Sequence, residues 1–132
     1  MAAILSQYPS AGAESFVRGD PVAYIVRIMV EGVDQDITGW EWRSYVRTSW
    51  DSDPLTIAET FDVVTPDSLP DLFPGGGATP SVLVVHWTPE QTHLWKAGYV
   101  SDVEQLEPNK LTWVIINSLN VVKDASYTAV LP

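Results

Sequence analysis

Residues 41–50, with the sequence EWRSYVRTSW, carry the pattern that decides the fold class. Side chains in this stretch alternate with a period of two, which is typical of a β-strand with one buried and one wetted face. The wetted face is expected to carry Glu41, Arg43, Tyr45 and Arg47. The face that is expected to be buried carries Trp42, Ser44, Val46, Thr48 and Trp50.

Further strand-like segments flank this stretch on both sides. Residues 22–30 (VAYIVRIMV) and 81–87 (SVLVVHW) are rich in β-branched and aromatic residues, as buried strands are. Shorter strands are predicted at residues 57–64, 99–106 and 111–116. Residues 65–80 are predicted to form a long irregular segment that is anchored by small apolar contacts of Leu69, Leu72 and Phe73.

One short helix is predicted over residues 88–96, approximately. Thr88 and Gln91 have the spacing of a capping box, Pro89 suits the first helical position, and Gly98 can end the helix. Six to seven strands with one short helix predict an all-β sandwich. Its core is predicted to contain Val26, Ile28, Trp42, Val46, Val84, Trp113 and Ile115.

The composition limits the classes of partner. The 132 residues are enough for one domain with one hydrophobic core. Lys and Arg total 7 against 17 Asp and Glu, which gives a formal net charge of -10. Such a chain repels phosphate, so we expect neither nucleic acid nor an anionic membrane surface as a partner. It also lacks the run of about 20 apolar residues that a membrane-spanning helix needs.

Residues that could support catalysis or metal binding are sparse in this sequence. His86 and His93 are the two histidines, whereas a zinc site needs three or four ligands. The Asp-x-Asp pairs at 34–36 and 51–53 lack the spacing of a calcium loop and are expected to be solvated turn formers. We therefore predict a protein that is not an enzyme, with no catalytic residue, no metal and no cofactor.

A high tryptophan content leaves a carbohydrate-binding function open. The chain has 6 tryptophans, and β-sandwiches that bind sugars use exposed aromatic rings. Trp42 and Trp50 share the apolar register with Val46, which is the usual pattern of a core. Trp40 follows Gly39 and is the residue most able to lie at the rim, so it is the candidate for glycan stacking.

Several short motifs occur in a characteristic order. They are FVRGD at 16–20, DITGW at 36–40, TPEQT at 88–92, AGYVSDV at 97–103, and LTWVII at 111–116 running on to VVKD at 121–124. In this order they resemble the small immunoglobulin-like modules of tailed bacteriophages, which are related to the N-terminal domain of baseplate upper proteins. The resemblance covers about residues 14–124.

The resemblance implies an immunoglobulin-like sandwich and a structural function without catalytic residues. It points to a virion protein that is assembled in the host cytoplasm, as a tail or baseplate component or an adaptor for fibre attachment. A capsid decoration protein and a carbohydrate-binding module for host-surface glycans are the alternatives. The expected partners are other virion proteins of the tail, baseplate or capsid, and the chain is expected to be oligomeric in the assembled particle.

Both ends of the chain are predicted to be arms that contact these partners. The predicted division is an N-terminal arm at 1–13, a sandwich domain at 14–124 and a C-terminal arm at 125–132. Both arms carry apolar side chains outside the predicted strands, and neither arm carries Lys or Arg. The candidate partner-binding residues are Ile4, Leu5, Tyr8, Tyr127, Val130 and Leu131.

Overall fold

The fold was obtained as a computed structural model that describes residues 3–8, 15–96, 98–107, 113–116 and 120–123. Side chains are described for residues 19–96 and 98–106. In chain order the strands of the described residues are β1 (Ala3–Tyr8), β2 (Ser15–Arg18), β3 (Val22–Val30), β4 (Val33–Asp34), β5 (Glu41–Arg47), β6 (Pro54–Ile57), β7 (Thr60–Val64), β8 (Val82–Trp87), β9 (Val100–Glu107), β10 (Trp113–Ile116) and β11 (Asn120–Lys123). An α-helix, α1 (Pro89–Thr92), lies between β8 and β9, and a 3₁₀ turn spans Pro66–Ser68.

These strands form two antiparallel sheets and a separate ribbon. The first sheet has the order β1-β3-β8-β7, with β4 paired to the end of β3, and the second has the order β10-β9-β5-β6. β11 and β2 form a parallel two-stranded ribbon. One hydrophobic cluster contains buried residues of β3 and β8 from the first sheet and of β5 and β9 from the second. The predicted all-β sandwich is therefore confirmed.

The core between the two sheets is built around aromatic rings. Trp87 and Trp95 meet edge to face with 5.1 Å between ring centroids, and Tyr24 lies 5.7 Å from Trp87. The Tyr24 hydroxyl donates to Ser101 Oγ at 3.1 Å and so joins β3 to β9. Val26, Ile28, Trp42 and Val46 are buried in this core as predicted. The side chains of the other predicted core residues on β10, Trp113 and Ile115, lie outside the described part of the chain.

The irregular segment of residues 65–80, which we call the strap, covers the outer face of the first sheet. Phe73 is buried against Val82 and Val84, with Leu69 and Leu72 packed around them. The buried Val84 therefore lies beneath the strap rather than between the sheets. Because the strap covers the outer face of the sheet, β8 is buried on both of its faces. The predicted apolar anchoring of residues 65–80 is confirmed.

Arg27 holds the strap to the sheet. Its guanidinium donates to both carboxylate oxygens of Asp34, each at 2.8 Å, and Nη2 also donates to the Gly76 carbonyl at 3.3 Å. The same guanidinium lies 5.3 Å from the centroid of the Phe73 ring. Gly77 has a φ of +138°, and a Cβ there would lie 3.1 Å from Asp34 Oδ2. The glycine therefore lets the strap approach this ion pair closely.

We expect Asp34→Asn to lower the free energy of unfolding by about 1.5–3 kcal/mol at pH 7, because hydrogen bonds between charged groups are lost. The bonds from Arg27 hold the pKa of Asp34 below its usual range. A lowered folded-state pKa gives stability that is present above the unfolded value of about 3.9 and is lost as the pH falls through the folded value. Urea unfolding at pH 7 and at lower pH should show the difference between wild type and variant shrinking in acid.

The exposed carboxylate of Asp71 on the same strap is the matched control for this experiment. Asp71→Asn should unfold like the wild type at both pH values. A difference between wild type and Asp34→Asn that stays constant down to strongly acidic pH would contradict the role given to the ion pair.

The helix is shorter than the predicted span of 88–96. Its N-terminus is as predicted, because Thr88 Oγ1 accepts from the Gln91 backbone at 3.2 Å and Gln91 Oε1 accepts from the Thr88 backbone at 2.9 Å. The regular helix ends at Thr92. Leu94 N and Trp95 N donate to carbonyls only three residues back, and this tighter winding turns Trp95 into the core. The burial of one tryptophan therefore ends the helix early.

The N-terminal segment contains a strand that we did not predict. Residues 1–13 were expected to lie outside the strands, but Ala3–Tyr8 pairs with β3 from Ala3 opposite Val30 to Tyr8 opposite Ile25. The expectation is wrong for these six residues, because the edge of β3 satisfies their backbone groups. The C-terminal segment 125–132 lies outside the described residues.

Candidate functional site

The outward face of the second sheet carries the charged and aromatic side chains of β5. Trp42, Ser44 and Val46 are buried, whereas Arg43, Tyr45 and Arg47 are partly exposed on the opposite face. The arginine guanidinium carbons lie 5.2 Å (Arg43) and 5.0 Å (Arg47) from the centroid of the Tyr45 ring. Both distances suit cation–π attraction. The three side chains form a continuous ladder along the strand.

Two carboxylates of β9 face this ladder. The register places Glu104 opposite Arg43 and Asp102 opposite Tyr45. Arg43 donates to Glu104 Oε2 from Nη2 at 2.6 Å and from Nε at 3.1 Å, and the Glu104 side chain has no exposed surface. Burial raises the pKa of Asp102, and the charges of Arg47 and Arg43 oppose that increase. The ion pair therefore fixes the Arg43 end of the ladder.

Arg47 has a different set of partners from the other two arginines with described side chains. Arg27 hydrogen-bonds to Asp34 and Arg43 to Glu104, but the Arg47 bond in the described part of the chain goes from Nη1 to the Ser52 carbonyl at 2.7 Å. A guanidinium has five N–H donors in a planar fork that matches a carboxylate. Arg47 thus keeps donors for a further acceptor.

A turn at residues 48–52 follows the strand that carries the ladder and is closed by several hydrogen bonds. Ser52 N and Ser52 Oγ both donate to the Ser49 carbonyl, at 3.2 and 2.8 Å, and Ser49 N donates to Ser52 Oγ at 3.0 Å. Thr48 Oγ1 also donates to Ser52 Oγ, at 3.0 Å. Trp50 lies at the tip of this turn with 49% of its surface exposed. It was expected on the buried face with Trp42, and that expectation is wrong because β5 ends at Arg47.

β6 adds exposed apolar side chains beside the ladder. Ile57 pairs with Tyr45 and is 51% exposed, Leu55 is 39% exposed, and Thr56 between them is buried. The free edge of β6 is partly covered, because Gln91 Nε2 donates to the Ile57 carbonyl at 2.8 Å. Leu55 and Ile57 thus extend the exposed outward face of the sheet. The ladder surface consists of Arg43, Tyr45, Arg47, Trp50, Leu55 and Ile57.

The described part of the chain includes Trp40 and the backbone of three other predicted site residues. Trp40 is partly buried against the core and stacks on Trp42 with 6.0 Å between ring centroids. Ile4, Leu5 and Tyr8 lie on β1, where their Cα atoms pair with Met29, Ile28 and Ile25, and their side chains are outside the described part of the chain. The predicted residues Tyr127, Val130 and Leu131 lie outside the described residues altogether. Among the predicted site residues, only Trp40 has a described side chain.

The histidines do not form a shared site in the described structure. His86 is partly exposed, as predicted, and its Nε2 lies 2.7 Å from Asp62 Oδ2 on the neighbouring strand β7. Among the described residues there is no group of three or more His, Cys, Asp or Glu side chains arranged to hold a metal ion. No helix in this part of the chain is long and apolar enough to cross a membrane.

Comparison of this chain with protein-family models, curated proteins and solved structures finds no match. The geometry described above makes the ladder surface the candidate functional site. The alternation of residues 41–47 already indicated its three central side chains. The turn that exposes Trp50 and the burial of Glu104 were missing from that prediction.

Proposed function

We propose that this chain is a non-enzymatic structural protein of a tailed-bacteriophage virion, where it acts as a tail, baseplate or fibre-attachment adaptor. The observation that carries the proposal is the ladder surface. Arginine, tyrosine and tryptophan dominate the binding energy of protein interfaces, and here they lie together on a sheet with exposed apolar neighbours. Such a surface suits binding to another protein.

The virion part of the proposal rests on the resemblance of the sequence motifs to phage modules, and two of these motifs meet in the structure. Thr92, in the TPEQT motif, is buried and links that motif to the FVRGD motif. Its Oγ1 accepts from Gly19 N at 3.1 Å and donates to the Asp20 carbonyl at 2.7 Å. In the DITGW motif, Asp36 Oδ1 accepts from Thr38 N at 2.9 Å and closes a turn. Two of the motifs are thus joined by hydrogen bonds, and a third forms a turn of its own.

The ladder surface is also rigid, which favours tight binding. Tyr45 is held between two guanidinium groups, and the Trp50 turn is closed by hydrogen bonds through Ser49 and Ser52. Side chains that are ordered before binding lose less conformational entropy on association. The proposed partners are neighbouring virion proteins, and the proposed site of action is the assembled particle, in which the chain is oligomeric.

We expect Tyr45→Ala and Trp50→Ala to reduce incorporation into particles to less than about a tenth of the wild-type level. Truncation of a hot-spot residue costs about 2 kcal/mol or more, which weakens binding about thirtyfold. Quantitative mass spectrometry of gradient-purified particles measures incorporation. Circular dichroism and thermal unfolding of the purified variants should show folded proteins, since Trp50 is half exposed.

The matched control is Val33→Ala. Val33 is 63% exposed on β4 of the other sheet and should leave incorporation unchanged. Equal incorporation of all three variants would contradict the proposed interface. Immunogold labelling of the particles separates the two virion locations, because labelled heads would favour a capsid decoration protein and labelled tails the proposed adaptor.

A carbohydrate-binding module for host-surface glycans is the second candidate, and Trp40 is the observation that favours it. The indole is partly exposed at the start of β5 and lies on the opposite face of that strand from the ladder. Its contact with Trp42 occupies one side of the ring, so a sugar has only the other side for stacking. Glycan-array binding that is lost with Trp40→Ala would favour this candidate over the adaptor.

A further inference from the structure

We propose that the protein partner of the ladder surface presents a single carboxylate beside an apolar side chain, with the carboxylate bound by Arg47 and the apolar group packed on Trp50. This inference rests on the proposed function, because it describes the partner of the same surface. It adds the chemistry by which that partner is recognised.

The hydrogen bonding of Arg47 is the observation from which we infer that the partner presents a carboxylate. Its Nη1 donates to the Ser52 carbonyl, and its guanidinium lies 5.0 Å from the Tyr45 ring centroid, so the group is held in place while other donors remain. Oriented guanidinium groups bind carboxylates through two parallel hydrogen bonds. Arg43 is less suited to this role, because Glu104 already accepts from its Nε and Nη2.

The surrounding charge limits the partner to one carboxylate rather than an acidic run. Asp102 of β9 already interacts electrostatically with Arg47. Glu41, Asp51, Asp53 and Glu59 are exposed on and around β5 and β6, and the whole chain has a net charge of -10. A second or third negative charge on the partner would meet these groups and be repelled. The positive charge of Arg47 is local, so it selects a single acceptor at one position.

The position of Trp50 is the observation from which we infer that the partner also presents an apolar side chain. The indole is half exposed at the tip of a turn whose carbonyl at Ser52 also binds Arg47, so both groups belong to one rigid unit. Leu55 lies on the adjacent strand and is also exposed. A partner side chain that packs on Trp50 would add buried apolar area to the charged contact at Arg47.

The test places a photo-cross-linker beside this unit in the full-length chain. Asp51, next to Trp50, is replaced by p-benzoyl-phenylalanine in cells that produce the particle, and the cross-linked partner peptide is sequenced by mass spectrometry. We expect one peptide of a different protein, with an Asp or Glu flanked by apolar residues. Adding Arg47→Glu should lower its yield at least tenfold, and Arg47→Lys should give an intermediate yield. Lys96→Glu, the same change of charge at another exposed position, should leave the yield unchanged.

The possible results separate this inference from the proposed function. A cross-link that is absent, joins two copies of this chain, lacks an acidic residue or persists with Arg47→Glu in a folded variant would overturn the inference. If a cross-link that persists with Arg47→Glu joins this chain to a virion protein, the inference fails and the proposed function stands. If an acidic peptide from a protein outside the virion is captured in an Arg47-dependent way, the inference stands and the virion function fails.

Discussion

Replacing Trp95 with alanine is expected to lower the free energy of unfolding by about 3–5 kcal/mol. The side chain is fully buried, contacts Trp87 edge to face at 5.1 Å between centroids and donates from Nε1 to Thr56 Oγ1 at 2.9 Å. Truncation leaves a large cavity and also removes the partner of a buried hydroxyl. Domains of this size have about 5–15 kcal/mol of stability in total, so the variant should unfold at a much lower urea concentration.

The adjacent residue provides the matched control for Trp95. Leu94 follows the same short helix but is 51% exposed, so Leu94→Ala should change the free energy of unfolding by less than about 0.5 kcal/mol. Urea unfolding followed by circular dichroism measures both variants. Similar midpoints for the two would show that the segment after α1 does not enter the core.

The second large effect concerns the Arg43–Glu104 ion pair. Arg43→Met leaves the fully buried Glu104 carboxylate without its arginine, and breaking a buried pair in this way costs about 3–5 kcal/mol. Because 38% of the Arg43 side chain is exposed, water can reach the site, and we expect a loss of about 2–3 kcal/mol. Equilibrium unfolding at pH 7 measures it.

Two further variants separate the buried charge from the packing at this site. Arg43→Met with Glu104→Gln should recover part of the loss, because the uncompensated charge is removed along with the arginine. Arg47→Met removes the other arginine that contacts the Tyr45 ring. The hydrogen bond of Arg47 goes to the Ser52 carbonyl rather than to a carboxylate, so this change should lower the free energy of unfolding by about 1 kcal/mol or less. A double variant no more stable than Arg43→Met alone would contradict this explanation.

The period-two alternation of the sequence was enough to predict the sandwich and the register of β5 up to Arg47. Alternation reports which face of a strand is buried, and Trp42 and Val46 are indeed in the core. It failed at Trp50, because the hydrogen bonds of Ser49 and Ser52 close a turn that a period of two does not detect.

Other differences from the prediction arise from contacts between distant parts of the chain. β1 has little local signal, and it is a strand because the edge of β3 lies beside it. A single strand was predicted over 57–64, whereas β6 and β7 belong to different sheets and are separated by Ala58 and Glu59. β8 is buried on both faces, because one face packs against the other sheet and the strap covers the opposite face.

The burial of Glu104 shows the same limit at the candidate site. The predicted strand at residues 99–106 corresponds to β9, and Ser101, Val103 and Gln105 are buried on its inward face. Glu104 belongs to the outward face, yet it is buried there beside Arg43 of β5. That burial depends on strands that pair across the sheet, so no pattern within β9 could indicate it.

The measurement that tests the central claim most directly is the copy number of the wild-type chain in purified particles. Under the proposed function a phage or prophage encodes the chain. The particles of that phage are purified on a density gradient, and their proteins are quantified by mass spectrometry against labelled peptides. We predict that the chain is present in a constant ratio to the known tail proteins in every particle fraction. Abundant protein in the lysate with none in the particles would contradict the account.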